Sequence, residues 1–345
     1  MRTDLFDFHL PQDQIAQQPL PRGSARLLVL RRETGCVEHR RVDDLPELLS
    51  PSDSLVMNDT LVTARRVTAV RDTGLSAEVL LLRQTGPITW EALVRPGRGF
   101  QTGRSVTLQG PGGATLSVRV AGSTAEGGRV LVFDDPLEAV KVATWGEVPL
   151  PPYITSSLGP ERDAEYQTVY AAKPGSAAAP TAGLHFSKEL LQELSRRGIR
   201  QHTVTLTVGV GTFRPVKADD VEMHTMHSEP VSLTAETASA LNATTGRIVA
   251  VGTTSVRVLE TAAADVPSGS AERVQPFTGE TCIFIRPGYQ FRAVDALLTN
   301  FHLPKSTLLM LVCAFAGLDP VMAAYREAVA MGYRFFSFGD AMLIV

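Results

Sequence analysis

The chain has little charge of either sign to spare: 33 Lys and Arg against 36 Asp and Glu leave a formal net charge of -3 over 345 residues. That excludes a general polycation gripping nucleic acid by net charge, so a nucleic-acid partner requires a local basic patch. Cysteine is scarce as well. Cys36, Cys282 and Cys313 form neither a disulfide framework nor metal-type spacing, and two lie in apolar segments, so reduced, buried thiols in the cytosol are expected. Long hydrophobic runs are missing: residues 308–316 are too few to span a bilayer, and Met1-Arg2-Thr3-Asp4 carries no signal-peptide pattern. A cytoplasmic chain without a membrane partner is expected. With 44% apolar and 20% charged residues, the composition excludes disordered and fibrous classes, and the length admits two domains.

What is present centres on Ala178-Ala179-Pro180-Thr181-Ala182-Gly183-Leu184-His185-Phe186, a small-residue stretch that suits neither helix nor strand. It ends at a helix start, with Ser187 as N-cap, apolar Leu190, Leu191 and Leu194, and Gly198 past the end. His185 therefore precedes a helix N-terminus, where the small neighbours Thr181 and Gly183 let a ligand approach the backbone. The alternative is a rigid turn whose histidine caps nearby carbonyls.

In chain order, residues 1–64 mix short elements: a helix from Leu10-Pro11, a strand over 26–30, and a strand over 55–57 running into Asn58-Asp59-Thr60, which either faces a ligand or caps its own turn. Between 66 and 133 the texture becomes all-β. Short runs at 77–82, 89–94, 105–108, 115–120 and 129–133, divided by glycines, indicate a small antiparallel barrel or sandwich. Eight arginines (66, 71, 83, 95, 98, 104, 119 and 129) against four acids make this stretch locally basic, suited to phosphate or simply a solvated face. Beyond a proline-rich return at 147–154, helix and strand alternate, which argues an α/β domain. Expected there are a strand over 202–208 ending in Gly209-Val210-Gly211-Thr212, a strand over 247–251 followed by Gly252-Thr253-Thr254-Ser255 and a helix, and a strand over 281–286. Asp295 precedes Leu297-Leu298 and the loop Thr299-Asn300-Phe301-His302, then an apolar helix from Ser306, and strands over 333–338 and 341–345. The strand, glycine, hydroxyls, helix order at 247–264 suits a carboxylate or phosphate, although Thr and Ser are also ordinary N-caps. His224 and His227 with Glu229 suggest zinc, but no further ligand cluster accompanies them, so no metal is expected.

The expected organisation is a major α/β domain of residues 1–64 and 146–345 with an inserted small all-β, barrel-like domain of residues 65–145. Taken together, Tyr166-Gln167-Thr168-Val169-Tyr170, residues 178–186, Gly209 to Phe213, His224 to Glu229, Val251 to Glu260, Asp295 to Pro304 and Tyr333 to Ala341 resemble the motif set of the S-adenosylmethionine:tRNA ribosyltransferase-isomerases, in matching order along the whole chain. Three positions depart from the family pattern. Asn58-Asp59-Thr60-Leu61-Val62 stands where the family reads Asn-Asn-Thr-Arg-Val, Thr207 replaces a histidine, and Gln17-Gln18-Pro19 replaces His-Tyr-Pro.

The resemblance implies an α/β domain with an inserted all-β domain. It also implies transfer of the ribosyl part of S-adenosylmethionine to 7-aminomethyl-7-deazaguanine at the tRNA wobble position, giving epoxyqueuosine and releasing adenine and methionine. S-adenosylmethionine would be a consumed substrate with no further cofactor, tRNA the partner, and the chain a monomer. A sulfonium acidifies the neighbouring ribose carbon, the attacking amine must be neutral, and adenine leaves more easily when a ring nitrogen is protonated. Such steps require tunable groups in a water-poor pocket, and His185, His302, His227, Glu229 and Asp295 are the candidates. His185 and His302 are expected to handle protons, oriented by Asp295 and Asn300, with Thr253, Thr254 and Ser255 on the methionine carboxylate. Arg257 would assist that anion or bridge its helix to the sheet. Asn58, Thr60, Tyr166, Gln167, Thr181 and Gly183 complete the expected substrate contacts. The competing readings are a tRNA-binding module without chemistry and a zinc hydrolase on His224 and His227.

Overall fold

The computed structural model describes residues 1–125, 127–155, 159–209 and 220–345. The chain opens with 3-10 turns at Thr3–Phe6 and Gln12–Gln14, where a short helix was expected. Strands β1 (Arg26–Arg31) and β2 (Cys36–Arg41), helix α1 (Leu45–Leu48), and strands β3 (Ser54–Asn58) and β4 (Thr60–Val62) follow. Strands β5 (Arg65–Arg71), β6 (Ser76–Gly86), β7 (Thr89–Arg95), β8 (Ser105–Gln109), β9 (Thr115–Ser123) and β10 (Arg129–Phe133) then close into an antiparallel barrel in the order β10-β7-β6-β5-β8-β9. The barrel has one strand more than the alternation signalled, because β5 begins on two arginines. Its core holds Trp90, Phe100, Phe133 and, from beyond helix α2 (Pro136–Lys141), Trp145.

The remaining chain supplies β11 (Lys173–Ser176), α3 (Lys188–Arg196), β12 (Arg200–Leu206), β13 (Glu229–Leu233), α4 (Ala235–Asn242), β14 (Ile248–Val251), α5 (Gly252–Ala263), β15 (Phe277–Thr281), β16 (Ala296–Asn300), α6 (Thr307–Ala316), α7 (Leu318–Ala330) and β17 (Ala341–Ile344). Nine of the described strands form one sheet, β15-β13-β12-β3-β14-β16-β17-β1-β2, whose central β12, β3, β14 and β16 run parallel. Strand alternation divides its core. Leu27, Val29, Leu55 and Leu298 face the layer containing α3, whereas Leu28, Leu30, Val56 and Leu297 face the layer containing α5, α6 and α7. The fold is therefore α/β with a closed barrel beside the main sheet.

Local chemistry sets the element ends as expected at Ser187 and Ser306, whose hydroxyls accept from Leu190 N and Leu309 N. Two further expectations fail. The strand predicted over 281–286 lies earlier, at β15, and residues 333–340 are a loop, not a strand. Asp340 explains the second: its buried carboxylate accepts from Arg26 N, Arg334 N and the Arg26 guanidinium, folding the segment back on itself. No single described helix is long and apolar enough to cross a membrane.

Candidate active site

His185 ends the turn Thr181–His185 and is buried. Gly183 makes that turn possible, since a Cβ there would lie 2.0 Å from the Tyr170 hydroxyl. Asn300, the last residue of β16, donates Nδ2–H to His185 Nε2 at 3.1 Å and to the Phe336 carbonyl at 3.0 Å. Because Phe336 O can only accept, the amide cannot be turned round, and Nε2 of His185 must accept. The proton of the neutral ring then sits on Nδ1. Burial lowers the His185 pKa to about 4, opposed by Asp340 and assisted by Arg22 and Arg334. Phe336 holds its carbonyl toward Asn300 with a φ of 74, a conformation rare for a bulky residue, fixed by its own N–H on Phe301 O.

His185 faces a cleft of about 380 Å³ walled by Pro19, Leu20, Arg22, Arg162, Glu165 and the Ser337 to Gly339 segment. Arg22 donates to the carbonyls of Leu184, Ala164 and Gln167, tying the N-terminal proline segment to the histidine turn. Ser337 is bonded to the Tyr153 hydroxyl. Tyr166, expected to touch substrate, is fully buried behind this wall with its ring edge-on to Phe338, and burial raises its pKa. Arg22, Phe336 and Ser337 were not singled out from sequence. Arg22 follows Pro19-Leu20-Pro21 some 160 residues before the loop it serves, and a left-handed Phe leaves no compositional trace.

The second expected proton carrier is placed differently. His302 Nε2 meets Thr299 Oγ1 at 3.0 Å, and its backbone N–H donates to the Tyr325 hydroxyl at 3.1 Å. Thr299 and Asn300 are neighbours on β16 and point to opposite faces of the sheet. The two histidines are thus held from opposite faces of one strand end, and His302 does not line the cleft. Burial alone lowers its pKa to about 3. Asp295, expected to orient a histidine, instead binds Arg273 through both oxygens and accepts from Ile248 N. It lies at the opposite end of β16 from Asn300, roughly 16 Å away at about 3.3 Å per residue.

Other expected contacts also serve the backbone. Gln167 exchanges two hydrogen bonds with Val62, Asn58 does the same with Leu206 and also accepts from Thr60 N, and Thr60 Oγ1 meets Ser176 Oγ at 2.6 Å. These polar side chains complete backbone hydrogen bonding here and none of them lines the His185 cleft. Asp59, one of the departures from the family pattern, accepts from Thr205 Oγ1 at 2.7 Å. Glu229 and Arg257 form a buried ion pair, with the second Glu229 oxygen accepting from Gly209 N and Arg257 reaching Thr281 O. Arg257 therefore bridges α5 to the sheet. With His224 and His227 the pair lines a separate cavity of about 60 Å³ that shares no residue with the His185 cleft. His227 is exposed and His224 packs edge-on against Phe284. Of Gly209-Val210-Gly211-Thr212-Phe213, all but Gly209 lies outside the described residues.

The start of α5 keeps one open group. Gly252 takes a φ of 83, which brings the helix N-terminus against Ala182 of the histidine turn. Thr253 is buried, and Ser255 Oγ bonds back to Val251 O. Thr254 Oγ1 is buried with no partner among the described residues.

The chain as a whole is similar to known proteins. A family model described as "Queuosine biosynthesis protein" matches residues 3–344. An S-adenosylmethionine:tRNA ribosyltransferase-isomerase of Symbiobacterium thermophilum is 52% identical, with all of both chains covered, and one of Bradyrhizobium sp. (strain ORS 278) is 49% identical over 100% of this chain and 97% of its own. The crystal structure of S-adenosylmethionine tRNA ribosyltransferase from Thermotoga maritima is 37% identical and superposes with a TM-score of 0.56 over 99% of this chain and 100% of that one. With an α/β domain beside a closed barrel and full-length relatives of this name, the chain is an enzyme of the tRNA-modifying transferase-isomerase class. The chain belongs to the queuosine biosynthesis protein family.

Proposed function

We propose that this enzyme moves the ribosyl part of S-adenosylmethionine onto 7-aminomethyl-7-deazaguanine at the wobble position of tRNA, giving epoxyqueuosine and releasing adenine and methionine. The names of the full-length relatives support S-adenosylmethionine and tRNA as the substrates. The observation that carries the chemistry is the His185 to Asn300 hydrogen bond. It holds a neutral imidazole with Nδ1–H as its donor, and a donor aimed at a ring nitrogen of adenine stabilises the charge that develops as the C–N bond breaks. The reading gives His185, not His302, the proton-handling role at this cleft.

The methionine carboxylate fits the start of α5, where the helix dipole, free backbone N–H groups and the unpartnered Thr254 hydroxyl converge beside the histidine turn. The sulfonium supplies the acidity of the neighbouring ribose carbon, so S-adenosylmethionine acts as a substrate and no other cofactor enters the scheme. The cell compartment in this reading is the cytoplasm and the working unit a monomer. Two free cysteines, Cys36 and Cys282, are exposed, contrary to the buried placement expected, and exposed thiols suit a reducing compartment. The test is incubation with S-adenosylmethionine and tRNA bearing the aminomethyl base, followed by analysis of adenine and of the digested nucleosides. Free adenine with a wobble nucleoside heavier by the ribosyl unit is expected. S-adenosylhomocysteine with a methylated tRNA would overturn the reading.

A further inference from the structure

The barrel's arginines divide sharply by what they touch. Arg65 pairs with Asp163 at 2.6 Å, Arg66 with Glu78 at 3.4 Å, Arg83 with Glu91 at 2.8 Å, and Arg104 with Asp72. Arg71 and Arg129 turn toward the loop of residues 96–104, donating to Arg98 O at 3.1 Å and Phe100 O at 2.8 Å. Phe100 itself is fully buried in the barrel core. The loop is therefore braced from below by two guanidiniums and anchored by an aromatic side chain.

Three arginines remain. Arg95, Arg98 and Arg119 are exposed, and among the described residues none has an acidic or carbonyl partner. Arg95 ends β7 at the loop's entry, Arg98 lies within the braced loop, and Arg119 on β9 stands opposite Ser105 at the loop's exit, where Gly103 N donates to Val120 O at 2.8 Å. Among the described residues, Asp72 is engaged by Arg104, and Glu78, which faces Arg95 across the strands, by Arg66. Elsewhere on this barrel an arginine is matched with an acid or a carbonyl, so a strip of three unmatched ones is a departure from the barrel's own pattern. Exposed guanidiniums match the charge and geometry of phosphate oxygens.

We propose that the strip Arg95, Arg98, Arg119 binds the phosphate backbone of the RNA substrate, making the barrel a docking surface apart from the His185 cleft. The inference rests on the tRNA substrate proposed above. Phosphate contacts position a nucleic acid without reading its bases, which leaves recognition of the modified base to the cleft. Arg104, at the end of the same loop, is excluded because Asp72 neutralises it.

The test measures tRNA affinity of the full chain against salt concentration for the unaltered protein, for Arg95→Ala/Arg98→Ala/Arg119→Ala, and for Arg83→Ala as an acid-paired control, each with thermal unfolding alongside. Each phosphate contact contributes roughly 0.7 to 0.9 to the slope of log affinity on log salt. The triple variant should lose about 2 to 3 from that slope at an unchanged unfolding temperature, and Arg83→Ala should match the unaltered chain. A triple variant with the full slope would overturn the strip and leave the substrate reading standing. Failure of the unaltered chain to bind tRNA would overturn both.

Discussion

Asn300 Nδ2 donates to His185 Nε2 at 3.1 Å while the same nitrogen donates to Phe336 O at 3.0 Å, so the strand end fixes the tautomer of the histidine. Replacing Asn300 by Asp puts an acceptor where the donor stood. The ring must then carry its proton on Nε2, and the carboxylate raises the His185 pKa from about 4. Turnover should fall by about 10² to 10⁴ with the fold retained, and nitrogen chemical shifts of His185 should report the changed tautomer. Unchanged shifts would show that Asn300 does not set the proton's position.

Burial keeps His185 and His302 neutral in the folded chain, with pKa values of about 4 and about 3, below the ordinary 6.5. Between those values the unfolded chain binds protons that the folded chain refuses, so their contribution is complete above about pH 6.5 and is lost as pH falls toward 4. For His185 that loss is about 3 kcal/mol. His302→Gln should flatten the fall of the unfolding temperature between pH 7 and 4.5. An identical acid limb in the variant would mean that His302 is already solvated or charged.

Gln167→Ala removes both hydrogen bonds to Val62. It should lower stability by about 1 to 3 kcal/mol and leave S-adenosylmethionine affinity of the folded protein unchanged, as calorimetry and denaturant titration would show. A selective loss of affinity would restore Gln167 as a ligand contact.

Much of the architecture was legible in the sequence because it rests on local pattern. Period-two runs between glycines mark the barrel, and Ser187 and Ser306 mark helix starts. The histidine turn was legible for a similar reason, since only small residues pack where Gly183 meets Tyr170. What a polar side chain does at a strand end was not legible. Asn58, Thr60 and Gln167 look the same in sequence whether they serve a ligand or a neighbouring backbone, and only the pairing of β4 with β11 and of β3 with β12 decides. The face on which His302 falls depends on the register at Thr299, and the length of β16 carries Asp295 to the far end of the strand from Asn300.

Thr254→Val should weaken S-adenosylmethionine by about 1 to 3 kcal/mol, the effect of removing one partner from a charged acceptor. Affinity for tRNA should not move. Titration of each substrate separates this from the opposite assignment, in which the α5 start holds an RNA phosphate and tRNA affinity falls instead.

Gly183→Ala puts a methyl group against the Tyr170 hydroxyl, with the Thr168 methyl 2.7 Å away. A loss of stability is expected, partly recovered by adding Tyr170→Phe, and the double-mutant cycle measures the coupling directly. Additive effects would show that the clash lies elsewhere.

The most direct measurement is single-turnover adenine release by His185→Ala with saturating S-adenosylmethionine and tRNA carrying the aminomethyl base, read beside the unfolding temperature. A rate lowered by about 10² to 10⁴ in a folded protein that still binds both substrates is the expected result. Adenine release at the unaltered rate from folded His185→Ala would contradict the assignment of this cleft as the reaction centre.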